Sequence, residues 1–301
     1  MSEDNIAVVR GGGDLGTGAA LRLQRAGWRV LVTEIARPLV IRRGVALAAA
    51  IYDGTIELEG TVGVKIDRAA EADRVWAADR LPVLIDPDRS QAAALQPIAL
   101  VDAIMAKCNT GTRLTDAPVV VALGPGFTAG VDCHAVIETQ RGHHLGRVYY
   151  HGAAAADTGT PGKLGGQDAL RVLRAPTAGV FYGQRKIGEA VKAGEVIGRV
   201  IAVDGSLTDS AAWRLSAVDR DSSRPLGTVV RASIDGVLRG ILHDGLTVTA
   251  GLKIADVDPR GEVSFCFTVS DKAWAVGGAV VEAALWLRRR FEKSEQRSRN
   301  G

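Results

Sequence analysis

Hydrophobic and polar positions follow two different periods along the chain, and the change of period divides it. Residues 6–9 form a short apolar run. Leu15, Ala19, Leu23 and Ala26 then share one helical face, and Gly27 follows where a left-handed C-cap is wanted. Residues 29–34 read as a second strand, giving a βαβ start with a glycine-rich first turn. Residues 42–51 read as a helix, 55–59 and 62–66 as short strands parted by Gly60, and 68–79 as an alanine-rich helix. Residues 83–85 are a buried strand stopped by Asp86-Pro87. Ile98, Val101 and Met105 lie on one face of a helix predicted to end near Asn109, and 119–123 is the next strand. Strands alternating with helices predict an α/β protein with a Rossmann-like, doubly wound parallel sheet.

After about residue 164 the helical period gives way to short strands punctuated by glycine. Residues 174–200 align without gaps to residues 231–257, with 11 of 27 positions identical, including Gly179/Gly236, Gly188/Gly245 and Gly194/Gly251. Glycines repeated at fixed spacing mean the same turns made twice. The pattern resembles the half-units of the barrel-sandwich hybrid seen in biotinyl and lipoyl domains, so a small β domain of that kind is expected over 165–301, after a Rossmann-like nucleotide- or cofactor-binding domain over 1–164. Residues 204–227 read as a polar surface loop and 272–291 as a closing helix. Ser270-Asp271-Lys272-Ala273 looks like a lipoyl attachment sequence, but Lys272 follows both half-units and starts a helix, which excludes it as a carrier lysine.

The chain has 301 residues and is 47% hydrophobic, enough for two buried cores. A net charge of +3 without a basic stripe argues against nucleic acid as a partner. Three widely spaced cysteines, Cys108, Cys133 and Cys266, argue for a reducing compartment and against a disulfide framework or a zinc site. The acidic start is no signal peptide, and the longest apolar run, 273–287, is too short to span a bilayer. A cytoplasmic protein with no membrane partner, free to form a homo-oligomer, is expected.

Two glycine loops carry the candidate chemistry. Gly11, Gly13 and Gly16 satisfy GxGxxG between a strand and a helix, with Gly18 one turn on, Arg10 just before and Glu34 at the end of the second strand, placed for a ribose hydroxyl. Asp14 within the loop would repel a pyrophosphate, so a structural turn stays open as the alternative. Residues 123–143 follow a strand and show neither helical nor strand period. Gly124 and Gly126 could cradle an anion or make a tight turn. Glu138, Arg141 and His143 are candidate catalytic residues, since Arg grips phosphate or carboxylate and His moves protons near neutral pH; an internal Glu–Arg ion pair with a surface His is the alternative. Cys133 and His134 are neighbours on an extended chain and point to opposite faces, which disfavours a nucleophile–base pair. Lys107 and Asn109 read as a helix end. The cofactor-binding set is therefore Arg10, Gly11, Gly13, Asp14, Gly16, Gly18, Glu34, Gly124 and Gly126, with no metal ligands.

Several segments occur in a set order: VVRGGGDLGTG, TEIARPLVIRR, VDAIMAK, ALGPGF, VIETQRGHHLG, TGTPG, RVLRAP and GVLRGILHDG. Together they resemble the YqeB family of accessory proteins in the selenium-dependent molybdenum hydroxylase system, over residues 6–284. The first half is also similar to XdhC-type chaperones, which bind molybdenum cofactor and pass it on sulfurated. The resemblance implies a maturation factor for a hydroxylase of the xanthine dehydrogenase type, with molybdenum cofactor or a nucleotide as the phosphate-bearing ligand and the client hydroxylase as partner. It carries no catalytic residues over. An NAD(P)-dependent oxidoreductase and a non-enzymatic scaffold acting through the second domain are the alternatives.

Overall fold

The computed structural model describes residues 5–157, 170–202 and 227–300, with backbone alone at 294–295 and 297–300. The expected domain boundary at 164/165, the turn at 158–162 and most of the 204–227 loop lie outside the described residues. The chain divides into two units: Met1–Pro38, Val45–Thr158 and Val269–Gly301 make the first, Leu39–Gly44 and Gly159–Thr268 the second.

The first unit is built on one sheet. Its strands are β1 (Ile6–Arg10), β2 (Arg29–Glu34), β3 (Thr55–Leu58), β4 (Thr61–Ile66), β5 (Leu81–Ile85), β6 (Ala99–Asp102), β7 (Val119–Leu123), β9 (Ala135–Ile137) and β10 (Val148–Tyr149), with the two-residue strands β8 (Thr128–Ala129) and β11 (Gly152–Ala153) paired outside it. The order across the nine strands is β10-β9-β7-β6-β1-β2-β5-β4-β3. The inner pairs are parallel, but β3 runs antiparallel to β4 and β10 antiparallel to β9. The β3–β4 hairpin turns on Glu59 and Gly60, both at positive φ, 52° and 77°.

The expected fold class is corrected here. The sheet is mixed, not parallel throughout, and it is not doubly wound by crossover helices. Among the described residues only α1 (Asp14–Arg25) is a full-length crossover helix. The expected helix over 42–51 is two 3-10 turns followed by the four-residue α2 (Ala50–Asp53), and that over 68–79 is a 3-10 turn followed by α3 (Ala72–Ala77). After β5 comes α4 (Ser90–Ala93), again four residues. The helix expected around Ile98 and Met105 is strand β6, hydrogen-bonded between β1 and β7. A strand buried on both faces is apolar at every position, so a helical subset can be picked out of it by coincidence.

Alternate residues sort onto the two faces. Val9, Val32, Val101, Val121 and Ile137 join the core under α1, whereas Val8, Leu31 and Leu84 pack on Ala72 and Val75 of α3. The helix beside α1 comes from the far end of the chain: α5 (Asp271–Asn300) places Ala273, Val276, Val280, Ala283 and Leu287 in the same core. The two helices meet backbone to backbone. A Cβ on Gly18 would stand 2.8 Å from the carbonyl carbon of Ala273, and one on Gly277 would stand 2.7 Å from that of Gly18.

In the second unit the two halves of the sequence repeat adopt matching turns, with Gly179 and Gly236 at φ 153° and 159° and Gly194 and Gly251 at 84° and 82°. The strands are β12 (Val172–Arg174), β13 (Gly179–Gly183), β14 (Ala190–Val191), β15 (Val196–Ile201), β16 (Thr228–Arg231), β17 (Gly236–Ile241), β18 (Leu246–Val248) and β19 (Lys253–Asp258). They pair as two separate four-stranded antiparallel sheets, β12-β19-β17-β14 and β16-β15-β13-β18, and each sheet takes a strand from the other repeat. The expectation of a barrel-sandwich hybrid is corrected accordingly: repeated glycines specify repeated turns, but not how the strands close. Within this unit Asp256 and Asp258 are fully buried and are held by Arg171, Arg239 and Arg260. Buried carboxylates need such partners. Among the described residues no helix is long and apolar enough to cross a membrane.

Candidate functional site

The first glycine turn is filled by the protein itself. Gly11 N–H donates to the Thr33 carbonyl at 2.8 Å, and Gly12 N–H donates to Glu34 Oε1 at 2.7 Å. The Gly12 carbonyl accepts from Ala48 N–H at 2.9 Å and from Thr17 Oγ1 at 3.0 Å. A Cβ on Gly16 would overlap the Gly11 carbonyl, and Gly18 is spent on the contact with α5. Gly13 caps α1 through its backbone alone. Glu34 also accepts from Ile35 N–H at 3.1 Å, so its carboxylate closes the turn where the sequence reading placed a ribose. Burial raises the Glu34 pKa, and these two bonds oppose the rise.

Arg10 points into the core: its Nη1 donates to Asp102 Oδ2 at 2.9 Å and to Thr112 Oγ1 at 2.6 Å, and the residue is 6% exposed. Gly124 N–H donates to the Ile137 carbonyl at 2.9 Å. Gly126 backs onto Lys107 and Cys108, whose atoms a Cβ would meet at 2.6 Å. Gly126 therefore serves close backbone packing, and Gly124, at φ 75°, makes a turn packed against the Thr139 and Met105 side chains. Lys107 is not at a helix end; it sits at φ 64° and pairs with Asp157.

The 123–143 stretch is less irregular than its sequence suggests. Strand β9 lies within it and is too short to show a period. Cys133 is fully buried, and burial followed by the charge of Asp132 pushes its thiol to about 12. His134 Nδ1 accepts from Val120 N–H at 3.0 Å, an arrangement that requires the neutral ring. Neither is set up as a nucleophile or base.

Past β9 the picture changes. Glu138, Gln140, Arg141, His143, His144 and Tyr149 line a cavity of about 360 Å³. Glu138 is 2% exposed and held in place by Gln140 N–H at 2.7 Å and Ala155 N–H at 2.8 Å. Arg141 turns its guanidinium to the first residue of α5, and its Nη1 and Nη2 donate to the two carboxylate oxygens of Asp271, each at 2.8 Å. That bond raises the Arg141 pKa further, and Asp14 adds to the rise. His143 and His144 stand edge to face at the mouth, with ring centroids 5.0 Å apart.

Next to Asp271 is Lys272, half-buried and with no hydrogen bond or ion pair among the described residues. Desolvation is the main cause that lowers its pKa from the ordinary lysine value. Arg141 lowers it further, while Asp14, Glu138 and Asp271 pull the other way. The structure thus brings together Glu138, Arg141 and His143 of the expected set, with Asp14 in electrostatic reach. It leaves Arg10, Gly11, Gly13, Gly16, Gly18, Glu34, Gly124 and Gly126 to packing and turns. Sequence reasoning missed Tyr149, His144 and above all Asp271 and Lys272. The available signal was a lysine in the first turn of a helix, the end where a cation is disfavoured. Among the described residues no three His, Cys, Asp or Glu side chains are placed to share a metal ion.

No protein-family profile matches the chain. It is 45% identical over 287 residues to the uncharacterized protein YqeB of Escherichia coli (strain K12), covering 95% of this chain and 48% of that one. The chain thus spans about half the length of the curated relative it matches. This supports the YqeB family, whose name carries no function. Among solved structures, the product-bound ectoine utilization protein EutE (DoeB) from Ruegeria pomeroyi is 12% identical over 84% of this chain and 57% of its own, with a TM-score of 0.23. An aspartoacylase family protein from Mesorhizobium loti is 12% identical over 84% of each chain, with a TM-score of 0.26. A succinylglutamate desuccinylase/aspartoacylase from Rhodobacter sphaeroides is 16% identical over 83% of this chain and 86% of its own, with a TM-score of 0.23. At those scores the likeness is too distant to carry an activity across. The expectation of a molybdenum hydroxylase accessory factor is corrected: the glycine loops meant for molybdenum cofactor or a nucleotide are closed by the protein's own groups, and the name of the curated relative carries no such role. The oxidoreductase alternative rested on the same loops and falls with them, and the scaffold alternative is dropped with the barrel it relied on.

Proposed function

We propose that the first unit binds a small organic acid at the edge of its sheet, with Arg141 as the carboxylate anchor. One observation supports this reading most directly: the Arg141 fork already holds a carboxylate, that of Asp271, through two parallel 2.8 Å bonds beside the cavity. Two-point pairing of a planar guanidinium with a planar carboxylate is selective for that group's shape. The Asp271 carboxylate is 72% exposed and Arg141 39%. An exposed pair of this kind contributes only about 0.2–1 kcal/mol, so a ligand carboxylate with added contacts can displace it. The cavity volume suits a small molecule. His143, His144 and Tyr149 at its wall offer hydrogen bonds to the rest of the ligand, and buried Glu138 disfavours a second anion on that side.

Isothermal titration of a panel of small mono- and dicarboxylates tests this. Arg141→Gln should weaken binding by roughly tenfold or more, the worth of charge-assisted hydrogen bonds. If no carboxylate binds, or if Arg141→Gln binds as well as the parent, the assignment is wrong.

A further inference from the structure

We infer that Lys272 is a covalent anchor for a carbonyl-bearing acid, forming an imine with a 2-oxo acid whose carboxylate Arg141 holds. This rests on the carboxylate reading of the Arg141 site and adds the chemical class of its ligand. Asp271 and Lys272 are consecutive in the first turn of α5, and Asp271 is the residue that Arg141 grips. A ligand carboxylate that replaces Asp271 on Arg141 therefore takes the place of the residue next to Lys272 in that turn, and the charges of Arg141 and Asp271 both act on Lys272. In a 2-oxo acid the electrophilic carbon is the one bonded directly to the carboxylate. Lys272 has a setting that disfavours a cation on two counts. It stands at the positive end of a long helix, near a second cation, half-buried, and makes no ion pair among the described residues. Lys107 and Lys192, by contrast, are exposed and paired with Asp157 and Asp235. Lowering of the Lys272 pKa by desolvation and by Arg141 raises the share of free amine, the nucleophilic form.

The step balances without any further reagent. The neutral Lys272 nitrogen attacks the carbonyl carbon, forming a C–N bond and turning the carbonyl oxygen into a hydroxyl once it takes a proton. Nitrogen then loses its protons as that hydroxyl leaves as water, and C=N replaces C=O. Solvent takes up and returns these protons, while the charges of Asp14 and Glu138 act on Lys272.

Reductive trapping on the full chain tests the inference, with pyruvate as the probe and cyanoborohydride as the reductant, followed by peptide mapping by mass spectrometry. The expected result is a reduced pyruvate adduct concentrated on Lys272. It should need both reagents, be absent with acetate in place of pyruvate, and fall roughly tenfold or more in Arg141→Gln. Lys272→Arg, which keeps the charge and lacks the nucleophilic amine, should give no adduct above the background of the other lysines. If Lys272 is labelled no more than Lys107 and Lys192 while carboxylates still bind at Arg141, the covalent role is overturned and the binding site stands. If neither trapping nor titration gives a signal, both fall.

Discussion

Gly277 and Gly278 are neighbours in the same helix, and substituting alanine at each should change stability in opposite directions. In an exposed helix interior, replacing Gly with Ala gains about 1 kcal/mol from the reduced conformational freedom of the unfolded chain and the better helix propensity. At Gly278 a Cβ meets nothing within 4 Å, so Gly278→Ala should show that gain, about 0.5–1 kcal/mol. At Gly277 the same Cβ overlaps the Gly18 carbonyl oxygen, lies 2.7 Å from its carbon and 3.0 Å from Arg22 Cγ. The first two are helix backbone and cannot rotate away. α1 and α5 must separate, and overpacking of this kind costs about 1–3 kcal/mol. The propensity gain is common to both variants, so they should differ by the overpacking cost alone, roughly 1–3 kcal/mol, and Gly277→Ala should be a net loss of up to about 2 kcal/mol.

Urea denaturation followed by tryptophan fluorescence reads this, because Trp274 and Trp286 sit on α5 itself. The two-unit chain need not unfold in one step, so the comparison belongs to the transition that those tryptophans report. Gly18→Ala should destabilise likewise, since its Cβ lies 2.8 Å from the Ala273 carbonyl carbon. Combined with Gly277→Ala it should cost less than the sum, because one separation relieves both clashes. Equal stabilisation by Gly277→Ala and Gly278→Ala would refute the backbone contact between α1 and α5.

Three further outcomes follow from the site and its surroundings. Asp271→Asn removes the internal competitor from Arg141, so carboxylate affinity in titration should rise, by up to about fivefold for an exposed pair worth at most 1 kcal/mol. His134 has its folded pKa lowered by burial, so its contribution to stability is full above the unfolded value of about 6.5 and is lost as pH falls through the window below it. The urea midpoint of the parent should drop more steeply between about pH 7 and 5 than that of His134→Asn, and parallel curves would exclude the role. Cys108 is exposed, whereas Cys133 and Cys266 are buried with raised pKa values, so a thiol reagent at neutral pH should label Cys108 alone until urea is added.

What could be read from the sequence depended on whether a local pattern had one cause. The run Leu15, Ala19, Leu23 and Ala26 buries one helical face, and α1 is found over Asp14–Arg25 with Gly27 just beyond it. β6 had two readings because both its faces are buried, and β9 was hidden by being three residues long. The glycines of the first turn were visible, but their partners were not. Ala48, Glu34 and Ala273 come from distant segments, and no spacing rule says whether a bare glycine amide meets a phosphate or the chain's own carboxylate. The site divided in the same way. Glu138, Arg141 and His143 were legible because they are close in sequence. Asp271 lies 130 residues from Arg141, a separation that only the docking of α5 closes.

That docking ties the fold to the site. The helix whose glycines touch α1 is the helix whose first turn carries Asp271 and Lys272. Gly277 is six residues along from Asp271, less than two turns, so any shift of α5 at Gly277 is transmitted through rigid helix to the first turn. Arg141 belongs to the loop after β9 and does not move with it. Gly277→Ala should therefore draw Asp271 off Arg141 and raise carboxylate affinity, as Asp271→Asn does, while lowering stability, whereas Gly278→Ala should leave affinity near that of the parent. Titration at a temperature where both variants are fully folded separates the two effects. A Gly277→Ala protein that binds no more tightly than Gly278→Ala would show that the helix contact sets stability only, and that the hold of Asp271 on Arg141 does not depend on the position of α5.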